Sequence, residues 1–100
     1  MKARGTTERQ VELYATEGGS RPYQDWLRGL RDQQARGIIR RRLDRVKLGN
    51  FGDHKGVGEG VYELVIDFGP DYRVYYGLDG DIIVILLCGG TRKLKTQISA

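Results

Sequence analysis

The chain has 100 residues, of which 39% are hydrophobic and 30% are charged, and its formal net charge is +4. This length allows one domain, and the positive charge favours an anionic partner. A single cysteine, Cys88, excludes an internal disulfide and indicates a buried thiol in a reducing compartment. The sequence shows no signal peptide and no apolar run long enough to span a membrane, so we expect a cytoplasmic protein.

Positive charge is concentrated in one part of the chain. Residues 21–55 carry ten basic and four acidic side chains, a local charge of +6, whereas the remaining residues sum to −2. This local excess is more than solubility requires and favours binding of an anionic polymer such as RNA. A solvated amphipathic helix is the alternative interpretation of the arginine-rich part.

The first predicted element is a strand from Arg9 to Ala15, after a disordered start at residues 1–7. Apolar and polar side chains alternate along it, which is typical of a strand with one buried face. The side chains expected on the buried face are Val11, Leu13 and Ala15.

Two helices are predicted next. Ser20 is the expected N-cap of the first helix, which is entered through Pro22. Asp32 is the expected N-cap of the second, which runs to about Lys47 and stops at Gly49-Asn50. Apolar side chains at helical spacing predict the faces that join the core: Tyr23, Trp26, Leu27, Leu30, Ala35, Ile38, Ile39, Leu43 and Val46.

The C-terminal half predicts a glycine-rich loop followed by three strands. Residues 50–60 show neither a helical nor a strand period, so we expect a loop there. Val61–Phe68 alternates, with its even-numbered residues inward and Glu63 and Val65 outward. A turn at residues 69–71 leads to a strand at Tyr72–Tyr76. An Asp-Gly hairpin then leads to Ile82–Cys88, an apolar run typical of a central strand covered on both faces.

The element order β-α-α-β-β-β predicts a single α+β domain over residues 1–100. We expect a small, twisted, mainly antiparallel sheet with a helical hairpin on one face. Within it, we expect Ile82–Cys88 to be the most buried strand and Trp26 to pack beneath the sheet.

Five segments in order, within residues 8–97, carry a family resemblance. They read W-L-R-G-L-R-D, L-G-N-F-G-D-H-K, G-V-Y-E-L, F-G-P-D-Y-R-V-Y-Y and L-L-C-G-G-T-R-K-L-K-T-Q. Together they resemble the HigB-type, phage Gp49-like killer proteins of the RelE/ParE toxin superfamily. The resemblance implies a RelE-like fold and a toxin of a type II toxin–antitoxin system that cleaves mRNA on the ribosome. It also implies a cognate antitoxin, expected to be a helix-turn-helix protein. A related branch poisons DNA gyrase, which is the first alternative.

The sequence departs from these relatives at two places. They usually carry a basic residue at the position of Val65, and they usually continue past the segment where this chain ends at Ala100. These departures raise a further alternative, a truncated or degenerate member that binds its antitoxin but does not cut RNA.

Metal-free RNA cleavage needs cations aimed at the phosphoryl oxygens and a group that moves protons. Arginine suits the first role because its planar guanidinium grips phosphate through paired hydrogen bonds. No carboxylate, histidine or cysteine cluster has metal-ligand spacing, so we expect no cofactor. The expected catalytic residues are Arg73, Arg92, Lys93 and Lys55, and the expected RNA-binding residues are Lys95, Tyr75, Arg40, Arg41, Arg45 and His54.

Arg73 is the principal candidate, because it lies in the Y-R segment of the resemblance and shares a strand face with Tyr75. Arg73 and Arg92 are expected to point into one cleft. Glu63 is expected to pair with Arg73 as a surface salt bridge, with a role as general base as the alternative. His54 has a reference pKa near neutrality, but an incidental loop position is the simpler interpretation.

Overall fold

The computed structural model describes residues 8–81 and 83–91. The expectations for residues 1–7 and for Ile82, Arg92, Lys93 and Lys95 fall outside these ranges. The elements in chain order are β1 (Gln10–Leu13), α1 (Pro22–Gly29), α2 (Gln33–Lys47), β2 (His54–Gly58), β3 (Val61–Ile66), β4 (Tyr72–Asp79) and β5 (Ile83–Thr91).

The strands form one five-stranded sheet in the order β1-β5-β4-β3-β2. The pairing of β1 with β5 is parallel, and the other three pairings are antiparallel. The α+β class and the mainly antiparallel sheet are therefore confirmed. Since β5 lies between β1 and β4, its central place in the sheet is confirmed as well.

The strand β2 corrects the prediction of a loop over residues 50–60. It pairs antiparallel with β3, with His54 opposite Leu64 and Lys55 opposite Glu63, and the register shifts between Gly56 and Gly58. Glycines supply no side-chain alternation, so the local sequence carries no strand period here. Pairing with a neighbouring strand, which is a non-local contact, makes this segment a strand.

The strand β1 is shorter and less buried than predicted. Val11 packs against the core, but Leu13 and Ala15 are exposed. The burial predicted for these two side chains is wrong, because β1 lies at the sheet edge and the chain leaves the sheet after Leu13.

Of the two predicted helix N-caps, one is confirmed and the other is wrong. Asp32 caps α2 as predicted, since its Oδ1 accepts hydrogen bonds from the backbone N–H groups of Gln34 and Ala35 at 3.0 and 3.1 Å. The N-cap of α1 is Arg21, which makes no side-chain cap bond, so the prediction for Ser20 is wrong. The Ser20 N–H donates to Thr16 Oγ1 at 3.2 Å, and this places Ser20 in the preceding turn.

The end of α2 forms the predicted stop. Gly49 has a φ of 91°, a left-handed conformation that suits glycine. Its N–H donates to the Val46 carbonyl, and the N–H of Asn50 donates to the Arg45 carbonyl, each at 2.9 Å. These bonds satisfy carbonyls that would otherwise lack partners at the helix end.

Both helices pack on one face of the sheet. Trp26 packs against the core beneath β5, as predicted, and a Cβ at Gly89 would overlap its indole ring. The core residues contributed by the helices and the sheet are Tyr23, Leu27, Ala35, Ile39, Leu43, Val46, Leu64, Ile66, Tyr72, Val74, Tyr76, Val84 and Leu86.

The prediction that Ile82–Cys88 is the most buried strand is wrong for its described residues. Every residue of β4 from Tyr72 to Tyr76 is buried, whereas Ile85, Leu87 and Cys88 are only half-buried. The strand β4 has an antiparallel neighbour along each side, while β5 borders the four-residue edge strand β1.

Candidate functional site

One row of side chains crosses the sheet on the face away from the helices. The register aligns Lys55 of β2, Glu63 of β3, Tyr75 of β4 and Cys88 of β5. Arg73 lies two residues from Tyr75 along β4, and since side chains alternate along a strand, it shares their face. The shared face predicted for Arg73 and Tyr75 is confirmed. The sheet thus brings Lys55 and Arg73, from two separate sequence segments, onto one surface.

Glu63 joins these two cations into an ionic cluster, defined here as Lys55, Glu63 and Arg73. The Arg73 Nε lies 3.7 Å from Glu63 Oε1, and the Lys55 Nζ lies 3.9 Å from the same oxygen. The Glu63 side chain is fully buried, that of Arg73 is 11% exposed, and that of Lys55 is 55% exposed. Lys55 is therefore the member of the cluster most accessible to an incoming anion.

The predicted ion pair between Glu63 and Arg73 is confirmed, but its predicted place at the surface is wrong. Glu63 lies on β3 and Arg73 near the start of β4, and both residues are buried. In such surroundings an ion pair is screened less by salt and water than at the surface. Removing one of its two charges therefore lowers the free energy of unfolding more.

Tyr75 adds a neutral hydroxyl to this face. Burial, and then the nearby Glu63 carboxylate, raise the pKa of Tyr75 to about 12. The phenol therefore stays protonated at neutral pH, and a protonated phenol is able to donate a hydrogen bond. Its ring is only 1% exposed, so in this conformation it is not available to stack on a base. Burial also raises the pKa of the Cys88 thiol, which disfavours the nucleophilic thiolate.

His54 lies apart from the ionic cluster although it precedes Lys55 in the chain. Successive strand residues point to opposite faces, so His54 lies on the helix side of the sheet. Its ring is 5.3 Å from that of Phe51, and its Nδ1 is 2.9 Å from the Gly52 carbonyl oxygen. His54 lines a separate cavity of about 190 Å³ together with Arg9 and other residues.

The arginines of α2 are also separated from the ionic cluster, because the helices cover the opposite face of the sheet. Arg41 and Arg45 line a cavity of about 290 Å³ beside Asp67. Arg40 instead lines a groove between the two helices and β1. The predicted RNA-binding arginines therefore divide between two surfaces.

Arg42 has a structural role that the sequence pattern does not predict. Its Nη1 donates to the Val65 carbonyl at 2.6 Å, and its Nη2 donates to the carbonyls of Phe51 and Asp53 at 3.0 and 2.7 Å. Burial lowers the pKa of this guanidinium. The side chain thus ties α2 to β3 and to the segment entering β2. Its place in a run of three arginines gave no signal that would distinguish it.

Neither a metal site nor a membrane span emerges from residues 8–81 and 83–91. No three side chains among His, Cys, Asp and Glu come together there in a way that could hold a metal ion. None of the helices in these ranges is long and apolar enough to cross a membrane.

The fold and the ionic cluster define a small α+β domain with paired charges on one face of its sheet. A stretch of 75 residues is 44% identical to a protein of Haemophilus influenzae (strain ATCC 51907 / DSM 11121 / KW20 / Rd) whose name is "Uncharacterized protein". The matched stretch covers 75% of this chain and 76% of that protein, so the chain belongs to the same family as that protein. No family model and no solved structure match the chain.

Proposed function

We propose that this protein is the toxin of a type II toxin–antitoxin pair and cleaves mRNA on the ribosome without a metal ion. The proposal rests on the ordered motifs that resemble HigB-type proteins and on an α+β fold compatible with a RelE-like domain. The observation that carries it is the ionic cluster. Two sequence segments that carry separate motifs meet on one face of the sheet, one around Lys55 and the other around Arg73.

The proposed reaction is a transesterification within the RNA. The 2′-hydroxyl gives up its proton to water as its oxygen forms a bond to the adjacent phosphorus. The bond from phosphorus to the 5′-oxygen breaks, and the 5′-oxygen takes up a proton from water, which leaves a 2′,3′-cyclic phosphate and a 5′-hydroxyl end. Negative charge builds on the phosphoryl oxygens in the transition state, and cations placed there stabilise it. The exposed Lys55 ammonium supplies the first phosphate contact, and Arg73 supplies a second cation behind it.

Controlled expression tests the toxin proposal. Inducing the chain in bacteria without its antitoxin should stop growth, and primer extension should show new internal ends in cellular mRNA. Co-expression of an antitoxin encoded beside it should restore growth. DNA breaks with intact mRNA would instead support a gyrase-directed poison, and normal growth at full expression of folded protein would contradict both.

A member of the family that binds its antitoxin but no longer cleaves RNA is the second candidate. The buried position of Arg73 favours it, because Glu63 already occupies the Arg73 Nε and only 11% of the side chain is exposed. Val65 also lies opposite Arg73 in the sheet, at the position where the resembled proteins carry a further cation. This candidate predicts a stable complex with the antitoxin but no new RNA ends.

A further inference from the structure

A groove between α1, α2 and β1 has the features of a protein-binding surface. Its volume is about 520 Å³, and it lies at the edge of the sheet on the helix side. The apolar residues that line it are Val11, Leu13, Tyr23, Leu27, Leu43 and Leu86. Leu13 is 38% exposed, so part of this apolar lining is open to a ligand.

Basic side chains dominate the charged residues of this groove. Arg28, Arg40 and Lys47 line it together with a single acidic residue, Asp44. The Asp44 Oδ1 lies 4.0 Å from the Lys47 Nζ, and both side chains are exposed. The acidic side chain of the groove is therefore paired with Lys47. In the described part of the chain neither Arg28 nor Arg40 forms an ion pair. These two guanidinium groups remain available to negatively charged groups of a ligand.

Tyr23 provides an independent sign of a missing ligand group. Its side chain lines the groove and is 4% exposed, and its hydroxyl has no hydrogen-bond partner among the described residues. A buried polar group without a partner destabilises a protein, so such groups are uncommon. Burial raises the pKa of Tyr23 to about 12, so the hydroxyl carries its proton and can donate it to an acceptor.

We propose that this groove binds an acidic amphipathic segment of a partner protein. Apolar side chains of the segment cover the apolar lining, and its carboxylates pair with Arg28 and Arg40. One carboxylate or carbonyl oxygen accepts the hydrogen bond of Tyr23. The inference does not depend on RNA cleavage, because none of these residues belongs to the ionic cluster.

Two other occupants fit the groove less well. An RNA backbone would satisfy the arginines but would leave the apolar lining against a highly charged polymer. A second copy of this chain bound through the same groove would bring the basic side chains of two grooves together. An acidic segment matches both the charge and the apolar character of the groove.

Selection from a phage-displayed library of random linear peptides tests the proposal on the full chain. Enriched peptides should combine Asp or Glu with Leu, Ile or Phe. A fluorescein-labelled copy of one such peptide should bind with a Kd that rises about tenfold or more in Arg40→Glu, because charge attraction becomes repulsion. Arg31→Glu is the matched control, since Arg31 is exposed but does not line the groove, and it should leave the Kd unchanged.

Tyr23→Phe gives a second, isosteric test. It should raise the Kd of the peptide about tenfold. The melting temperature of the free protein should stay the same or rise, because an unpartnered hydroxyl is removed. Amide shifts of Leu13, Gln24 and Lys47 on peptide addition would place the peptide in the groove.

Three results would overturn the proposal. The first is enrichment of peptides without acidic residues, and the second is equal peptide binding by wild type, Arg40→Glu and Tyr23→Phe. The third is that Arg40→Glu abolishes binding of a labelled single-stranded RNA while peptide binding is unaffected, which would assign the groove to nucleic acid.

Discussion

A carboxylate in the middle of a strand normally faces water, but Glu63 is buried between two cations. Its carboxylate oxygen lies within 4.0 Å of both the Lys55 and the Arg73 nitrogens. Strand alternation predicted the face on which Glu63 lies. It could not predict that this face is buried, because burial depends on side chains from other strands.

Removal of the Glu63 side chain should destabilise the fold. Glu63→Ala leaves the buried Arg73 guanidinium without its carboxylate, so we expect a loss of about 3 to 5 kcal/mol in the free energy of unfolding. Urea denaturation of wild type and variant measures this loss. Glu12→Ala, at an exposed position of β1, is the control and should change the free energy by less than about 0.5 kcal/mol. A Glu63→Ala protein as stable as this control would contradict the importance of the cluster.

Arg73 should be needed for both stability and the proposed cleavage. Arg73→Ala should lower the cleavage rate about 100-fold or more, as expected when a cation that stabilises transition-state charge is lost. Arg73→Lys should restore only part of the rate, because an ammonium cannot make the paired phosphate contact. Rates must be normalised to folded protein measured by circular dichroism, since Arg73 is buried and its loss should also destabilise the fold.

His54→Ala is the comparison for this prediction. His54 lies on the other face of the sheet, so its loss should affect cleavage much less than the loss of Arg73. Full cleavage activity in Arg73→Ala would remove the basis of the proposed site.

At the scale of elements, the contact between α1 and β5 depends on a glycine. The Trp26 indole lies against Gly89 so closely that any side chain there would overlap the ring. Trp26 also contacts the ring of Tyr72 edge-on, with ring centroids 6.2 Å apart. The helix is thereby held against both central strands.

Gly89→Ala should therefore destabilise the protein by about 3 kcal/mol or more through overpacking. Thermal denaturation measures the effect. Trp26→Leu should lower the melting temperature less in the Gly89→Ala variant than in the wild type. The reason is that the smaller leucine side chain relieves the overlap with the alanine Cβ. Gly37→Ala is the matched control: nothing lies near its Cβ, and alanine favours the helix interior, so stability should rise by about 0.5 to 1 kcal/mol. Equal effects at both glycines would show that the close contact is absent.

At the scale of the whole molecule, three buried tyrosines link stability to alkaline pH. Burial is the main cause that raises the pKa values of Tyr23, Tyr75 and Tyr76 from 10.0 to about 12. Above about pH 10 the unfolded chain releases these protons while the folded protein retains them. Deprotonation therefore favours the unfolded state over this interval.

Below about pH 10 these tyrosines should not change the free energy of unfolding. Between about pH 10 and about pH 12, each tyrosine should lower it by about 1 kcal/mol per pH unit. Urea denaturation at several pH values measures the slope. Tyr23→Phe should make the slope shallower, while Tyr14→Phe, at an exposed ring, is the control. A slope that Tyr23→Phe leaves unchanged would contradict the burial of its hydroxyl.

Local sequence patterns predicted the elements whose causes lie within a few residues. The Asp32 cap, the Gly49 stop, the apolar face of α2 and the hairpin between β4 and β5 follow from hydrogen bonds and periodicities between near neighbours. The α+β class follows from the order of these elements. For the candidate site, alternation along β4 was sufficient to place Arg73 and Tyr75 on one face.

The tertiary structure alone decided how distant segments meet. Only strand pairing makes the glycine-rich segment at His54–Gly58 a strand, and only that pairing brings Lys55 to Glu63. The sequence shows Arg40, Arg41 and Arg42 as one basic run. Because successive helix residues point in different directions, the fold directs Arg40 to the groove, Arg41 to another cavity and Arg42 to backbone carbonyls. Periodicity records which side of an element a residue lies on, but what covers that side depends on contacts between residues far apart in the chain.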